Sequence, residues 1–72
     1  MYMIAVFKSR RDTIEYASML SRYGVSVTVV STPRKIGVSC GLSVRFPRAA
    51  LPLADRALRG GDFYSFKGFY TL

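Results

Sequence analysis

The chain has 72 residues, 50% of them hydrophobic and 21% charged, and its eleven Lys and Arg outnumber four Asp and Glu to give a formal charge of +7. A chain of this length holds one small domain, which excludes a complete doubly wound nucleotide-binding fold and a (β/α)₈ barrel. Histidine is absent and cysteine occurs once, so a His-based triad, a four-ligand zinc site and an internal disulfide are excluded as well.

Residues 3–7 are apolar without alternation and include β-branched Ile4 and Val6, the pattern of a central strand buried on both faces. Ser9-Arg10-Arg11-Asp12 then offers a hydroxyl N-cap with an acidic residue three positions on, and Ile14, Ala17, Leu20 and Tyr23 predict the buried stripe of a helix that Gly24 stops. Residues 25–30 are valine-rich, with Ser26 and Thr28 breaking the run in period two, and read as a half-buried second strand.

Residues 31–41 show neither a helical nor a strand period and contain Pro33, Gly37 and Gly41, so they form a loop, one long enough to suggest a task of its own. Leu42, Val44 and Phe46 alternate with Ser43 and Arg45 in a third strand that Pro47 ends, with its polar side chains outward. Ala50, Leu51, Ala54, Ala57 and Leu58 make a second helical stripe, which tolerates Pro52 only in its first turn. Gly60-Gly61 closes that helix, and residues 63–70 supply an aromatic-rich last strand with Gly68 as a candidate bulge.

The element order βαββαβ is that of an α+β, ferredoxin-like fold: an antiparallel sheet with both helices on one face, spanning residues 1–72 as a single domain. No run approaches the ~20 apolar residues that span a bilayer. A lone cysteine and no export segment point to a reducing cytoplasm.

Cys40 is the only strong intrinsic nucleophile. It lies between Gly37 and Gly41 at the end of the long loop, with Arg34 and Lys35 in the same loop and Arg45 on the strand that follows. Nearby cations favour the thiolate and lower the thiol pKa, and Gly41 permits close backbone approach or positive φ. The competing reading is a small buried hydrophobe, the commonest role of a free cysteine. Pro33 and Arg34 likewise read either as an ordinary strand exit beside a solvated cation or as a stiffened loop whose arginine pairs with an anionic sulfur or a partner's carboxylate.

Thr32-Pro33-Arg34-Lys35-Ile36 followed by Ser39-Cys40-Gly41-Leu42, then Arg45-Phe46, resembles the signature of the selenium/sulfur carrier-like family of short bacterial proteins. Ile4, Val6, Phe7, Lys8 and Ser9 are similar to that family's opening strand and turn, and Gly24-Val25 to its second-strand entry. The distinctive part is residues 32–46. The resemblance implies a carrier, rather than an independent enzyme, in which Cys40 holds sulfur or selenium as a persulfide or selenopersulfide and passes it to a partner. Thr32, Pro33, Arg34, Lys35, Ser39, Gly41 and Arg45 would support it. Such chemistry requires no metal, cofactor or His base. In better-known sulfur carriers a proline directly follows the reactive cysteine, whereas here Gly41 does and Pro33 lies upstream.

The partners implied are donor and acceptor proteins, which a positive surface would steer. The alternative is a small basic RNA- or protein-binding module with an incidental cysteine. Its weakness is that residues 42–46 lack alternating aromatics, and Phe63, Tyr64, Phe66, Phe69 and Tyr70 cluster on an edge strand suited to core packing or a homodimer.

Overall fold

The first strand, β1 (Tyr2–Phe7), is buried at every position after Tyr2, as the unbroken apolar run requires of a central strand. In the computed structural model, which describes residues 1–37 and 41–72, it is followed by helix α1 (Arg10–Arg22), strand β2 (Thr28–Ser31), strand β3 (Leu42–Pro47), helix α2 (Leu51–Arg59) and strand β4 (Phe66–Thr71). The four strands form one sheet in the order β2-β3-β1-β4 with every neighbouring pair antiparallel. This is the expected ferredoxin-like arrangement. Met3, Ala5 and Phe7 face the helices and join a core with Tyr16, Leu20, Val44, Phe46, Ala54 and Ala57, while Ile4 and Val6 alternate onto the opposite face.

Ser9 caps α1 as its position predicts, its hydroxyl accepting the Asp12 N–H at 3.2 Å. Asp12 does not complete a reciprocal capping box. Its carboxylate instead accepts both the hydroxyl and the N–H of Ser65, at 2.6 and 3.2 Å. Ser65 Oγ in turn accepts the Ser9 N–H at 3.0 Å, so a residue 56 positions away is inserted into the cap and ties the start of α1 to the entry of β4.

The buried stripe of α1 is Thr13, Tyr16, Ala17 and Leu20. Of the residues expected to form it, Ala17 and Leu20 are inside, but Ile14 and Tyr23 are exposed. The helix is turned this way because its two amphipathic side chains find partners inside. Thr13 Oγ1 donates to the Ser9 carbonyl at 3.0 Å and Tyr16 donates to the Ala54 carbonyl at 2.6 Å. The small residues Ala54 and Ala57 on the inner face of α2 leave room for that approach.

Three further boundaries differ from expectation. Gly24, at φ +84°, turns the chain out of α1, and Val25 goes into the core before the chain joins the sheet at Thr28, so β2 is shorter than residues 25–30. The segment after β2 contains a 3₁₀ turn at Arg34–Ile36. Pairing of β4 starts at Phe66, because residues 63–65 form the turn that brings the Phe63 ring against Phe7 and Tyr16. The candidate bulge is present: Val6 lies opposite Gly68 and Phe7 opposite Phe66, leaving Lys67 as the extra residue. Pro52 falls in the first turn of α2, after a 3₁₀ turn at Arg48–Ala50.

Candidate functional site

Cross-strand pairing sets the position of the long loop. Ser31 lies opposite Leu42, so the chain leaves β2 and re-enters β3 at neighbouring points. The Thr32 N–H donates to the Gly41 carbonyl at 3.0 Å, which closes the neck of the loop one step beyond the last strand pair. Below the neck, the Thr32 and Ser43 hydroxyls meet at 2.5 Å. Ser43 is fully buried, so this bond satisfies a hydroxyl that the alternation of β3 had suggested would face solvent.

Pro33, with φ −59°, leads into the 3₁₀ turn, which is held by Ile36 N–H to the Pro33 carbonyl at 3.1 Å and Gly37 N–H to the Arg34 carbonyl at 3.0 Å. Gly37 and Gly41 have φ of +91° and +92°, a region that glycine enters without strain. Arg34 and Lys35 are exposed on the turn. The described ion pairs, Arg11 with Glu15 at 3.1 Å and Arg59 with Asp55 at 3.2 Å, lie on the helices. Ser39 and Cys40 lie outside the described residues. Among the residues nominated from sequence, then, the structure brings Thr32, Pro33, Arg34, Lys35 and Gly41 into one closed loop.

Arg45 has a different setting. It is on the face of the sheet away from the helices, paired opposite Ile4, and its Cζ sits 4.6 Å from the centre of the Tyr2 ring. Tyr2 is at the end of β1 opposite the loop, since the loop joins the sheet beside Ser43 and its partner Val6. Two residues that the sequence suggested for other roles, Ser43 as an outward polar position and Tyr70 as part of an edge-strand aromatic cluster, become prominent here: Ser43 anchors the neck, and Tyr70 pairs opposite Ile4 on the same face as Arg45. The available signal was the period-two alternation of β1 and β3, which places Tyr2, Ile4, Val6, Ser43 and Arg45 on one face once the strand order is known.

Among the described residues, no group of His, Cys, Asp and Glu is arranged to hold a metal ion, and no helix is long and apolar enough to cross a membrane. A groove of ≈ 250 Å³ between Glu15, Ser18, Met19, Arg22 and Phe63 contains none of the nominated residues.

Fold and loop together define an α+β protein of ferredoxin-like topology whose β2–β3 connection carries the Thr-Pro-Arg and Ser-Cys-Gly segments. The model of the family described as "Putative Se/S carrier protein-like" matches residues 2–70, and the chain belongs to that family. No curated protein and no solved structure matches it.

Proposed function

We propose that the chain carries sulfur or selenium in its zero-valent form on Cys40. The Cys40 thiolate attacks the terminal sulfur of a donor persulfide, the donor's S–S bond breaks, and the donor thiolate leaves. The resulting Cys40 persulfide passes the same atom to an acceptor nucleophile and returns to the thiolate. One S–S bond forms as another breaks, so no outside oxidant is needed, and selenium follows the same course. The observation that supports this reading is the Thr32–Gly41 hydrogen bond, in which the two halves of the family signature meet to close the loop that contains Cys40.

Arg34 and Lys35, exposed on that loop, supply positive potential that favours a thiolate and steers an acidic partner surface toward it. Gly41 gives the backbone its turn back into β3, and Pro33 stiffens the entry. The donor and acceptor are proteins, and the setting is a reducing cytoplasm in which the thiol stays free. Among the described residues no strand lies beside the outer edge of β4, which supports pairing of two copies there.

The test is intact mass after incubation with a cysteine desulfurase and cysteine. One added sulfur per chain is expected, and none on Cys40→Ser. Alkylation against pH should show a midpoint below the ~8.5 of a free thiol. Absence of the added sulfur, or labelling only in denaturant, would sink the proposal.

A further inference from the structure

The net charge is unevenly divided between the two layers. All four carboxylates lie in the helical half: Asp12 and Glu15 on α1, Asp55 on α2 and Asp62 just past it. Lys8, Arg34, Lys35, Arg45, Arg48 and Lys67 lie on strands or on segments joined to strand ends, and five of the six are exposed. The five remaining cations on α1 and α2 sit among the acids. Most of the +7 therefore belongs to the sheet layer.

The open face of that layer also carries a specific group of side chains. Arg45, Ile4 and Tyr70 form a row across three strands, and Tyr2 lies on the diagonal to both Arg45 and Tyr70, with Cα spacings of about 7–8 Å by strand geometry that long side chains bridge. Ile4 is fully buried, yet Tyr2 and Tyr70 beside it are 47% and 37% exposed. Gly68 has no side chain to lift the Tyr70 ring: a Cβ there would lie 3.4 Å from Tyr70 Cε1 and 3.6 Å from its Cζ and hydroxyl. The ring thus lies back along β4 over Gly68.

From this arrangement we infer that the open sheet face binds single-stranded nucleic acid, with bases stacking on Tyr70 and on the side of the Tyr2 ring that Arg45 does not cover, and phosphates meeting Arg45 and the cations around the sheet. The charge complements a polyanion, and flat aromatic rings on an acid-free sheet suit unpaired bases better than the varied side chains of an acidic protein. Tyr2 lies at the end of β1 away from the loop that contains Cys40, whose Arg34 and Lys35 add charge at the far end of the sheet, and stacking on this group does not depend on sulfur transfer.

The experiment is fluorescence anisotropy with a labelled, mixed-sequence single-stranded RNA of about 12 nucleotides, at about 50 and 150 mM salt. Binding is expected to weaken with salt. Tyr2→Leu and Tyr70→Leu, which keep apolar cover over Ile4, should each weaken it by about fivefold or more, whereas Tyr70→Phe should stay near wild type. Arg45→Gln should lower the salt slope by about 0.7, and Arg56→Gln, with the same charge change on α2, should not. Equal loss from Arg45→Gln and Arg56→Gln, tyrosine variants that bind normally, or polyglutamate competing as well as RNA would overturn the inference, the last in favour of an acidic protein partner. Should a leucine variant not fold, amide shifts of the wild-type protein titrated with the same RNA decide. They are expected around residues 2–5, 44–46 and 68–71, and largest shifts on α1 or α2 would refute the site.

Discussion

Removing one oxygen from Tyr16 isolates a single buried contact between the helices. The Tyr16 ring is fully buried, with its centre 5.1 Å from that of Phe7 and 5.3 Å from that of Phe63, and its hydroxyl donates to the Ala54 carbonyl at 2.6 Å. Tyr16→Phe keeps the ring contacts and loses the bond, at a cost of about 1–2 kcal/mol with the carbonyl left dry. In a domain of this size that lowers Tm by roughly 7–13 °C near neutral pH. Burial, with a smaller contribution from the charge of Asp55, pushes the Tyr16 hydroxyl well above the ordinary phenol range, so the fold favours its neutral form. A group raised in this way contributes its full stability below its unfolded pKa of about 10 and loses it as pH rises beyond that value. One-proton linkage removes about 1.4 kcal/mol by roughly pH 11, comparable with the whole contribution of the bond. Urea unfolding of both proteins at neutral pH and at pH near 11 should therefore show a gap that closes at the higher pH. A gap of the same size at both pH values would refute the reasoning, as would a neutral-pH Tm drop below about 2 °C.

Ser65→Ala removes both the donor to Asp12 and the acceptor of the Ser9 N–H, and urea unfolding should show a loss of about 1–2 kcal/mol, discounted for partial solvation. Gly41→Ala meets open space, so its expected cost of about 1–2 kcal/mol comes from the backbone held at φ +92°, and an unchanged melting curve would exclude that conformation. Phe69→Glu puts a charge where the ring touches Phe46 and Phe66, so thermal melting should show a large loss of stability in the single chain whether or not copies pair. Pairing is instead tested on the unmodified chain: sedimentation at tens of micromolar should show a dimer, and a monomer would exclude β4-edge association.

How far the fold could be read from sequence depended on what each signal measures. The uninterrupted run in β1, the hydroxyl before α1, the position of Pro52 and the glycine opposite Val6 each reflect a local backbone or burial constraint, and each is met. The phase of α1 departs from its hydropathy pattern, which favours Ile14 over Thr13 and Tyr16, because a threonine that bonds back to its helix and a tyrosine that reaches a facing carbonyl are both well satisfied inside. Val25 and Val27 have strand composition and yet serve as packing at the end of α1, a role that tertiary contacts alone decide. In the loop, the signature residues were legible one by one. Their joining through Thr32 and Gly41, and the anchoring of Thr32 on Ser43, depend on a cross-strand register that no local pattern contains.

The open sheet face shows why the polar and aromatic residues there need a joint explanation. Ile4 and Val6 alternate onto the face away from the helices and are still fully buried, so the side chains beside them on that face have apolar surface to shield. Arg45 and Tyr70 flank Ile4, and Tyr70 leans back over Gly68, the residue opposite Val6. Cover alone would be met by leucine or valine at those positions, and more cheaply, since an apolar side chain has no charge to keep hydrated. Tyrosine and arginine in those places give the same shielding while presenting a flat ring and a fixed cation to the solvent. For that reason leucine replacements separate the two roles: they preserve what Ile4 and Val6 require and remove what a stacked base requires.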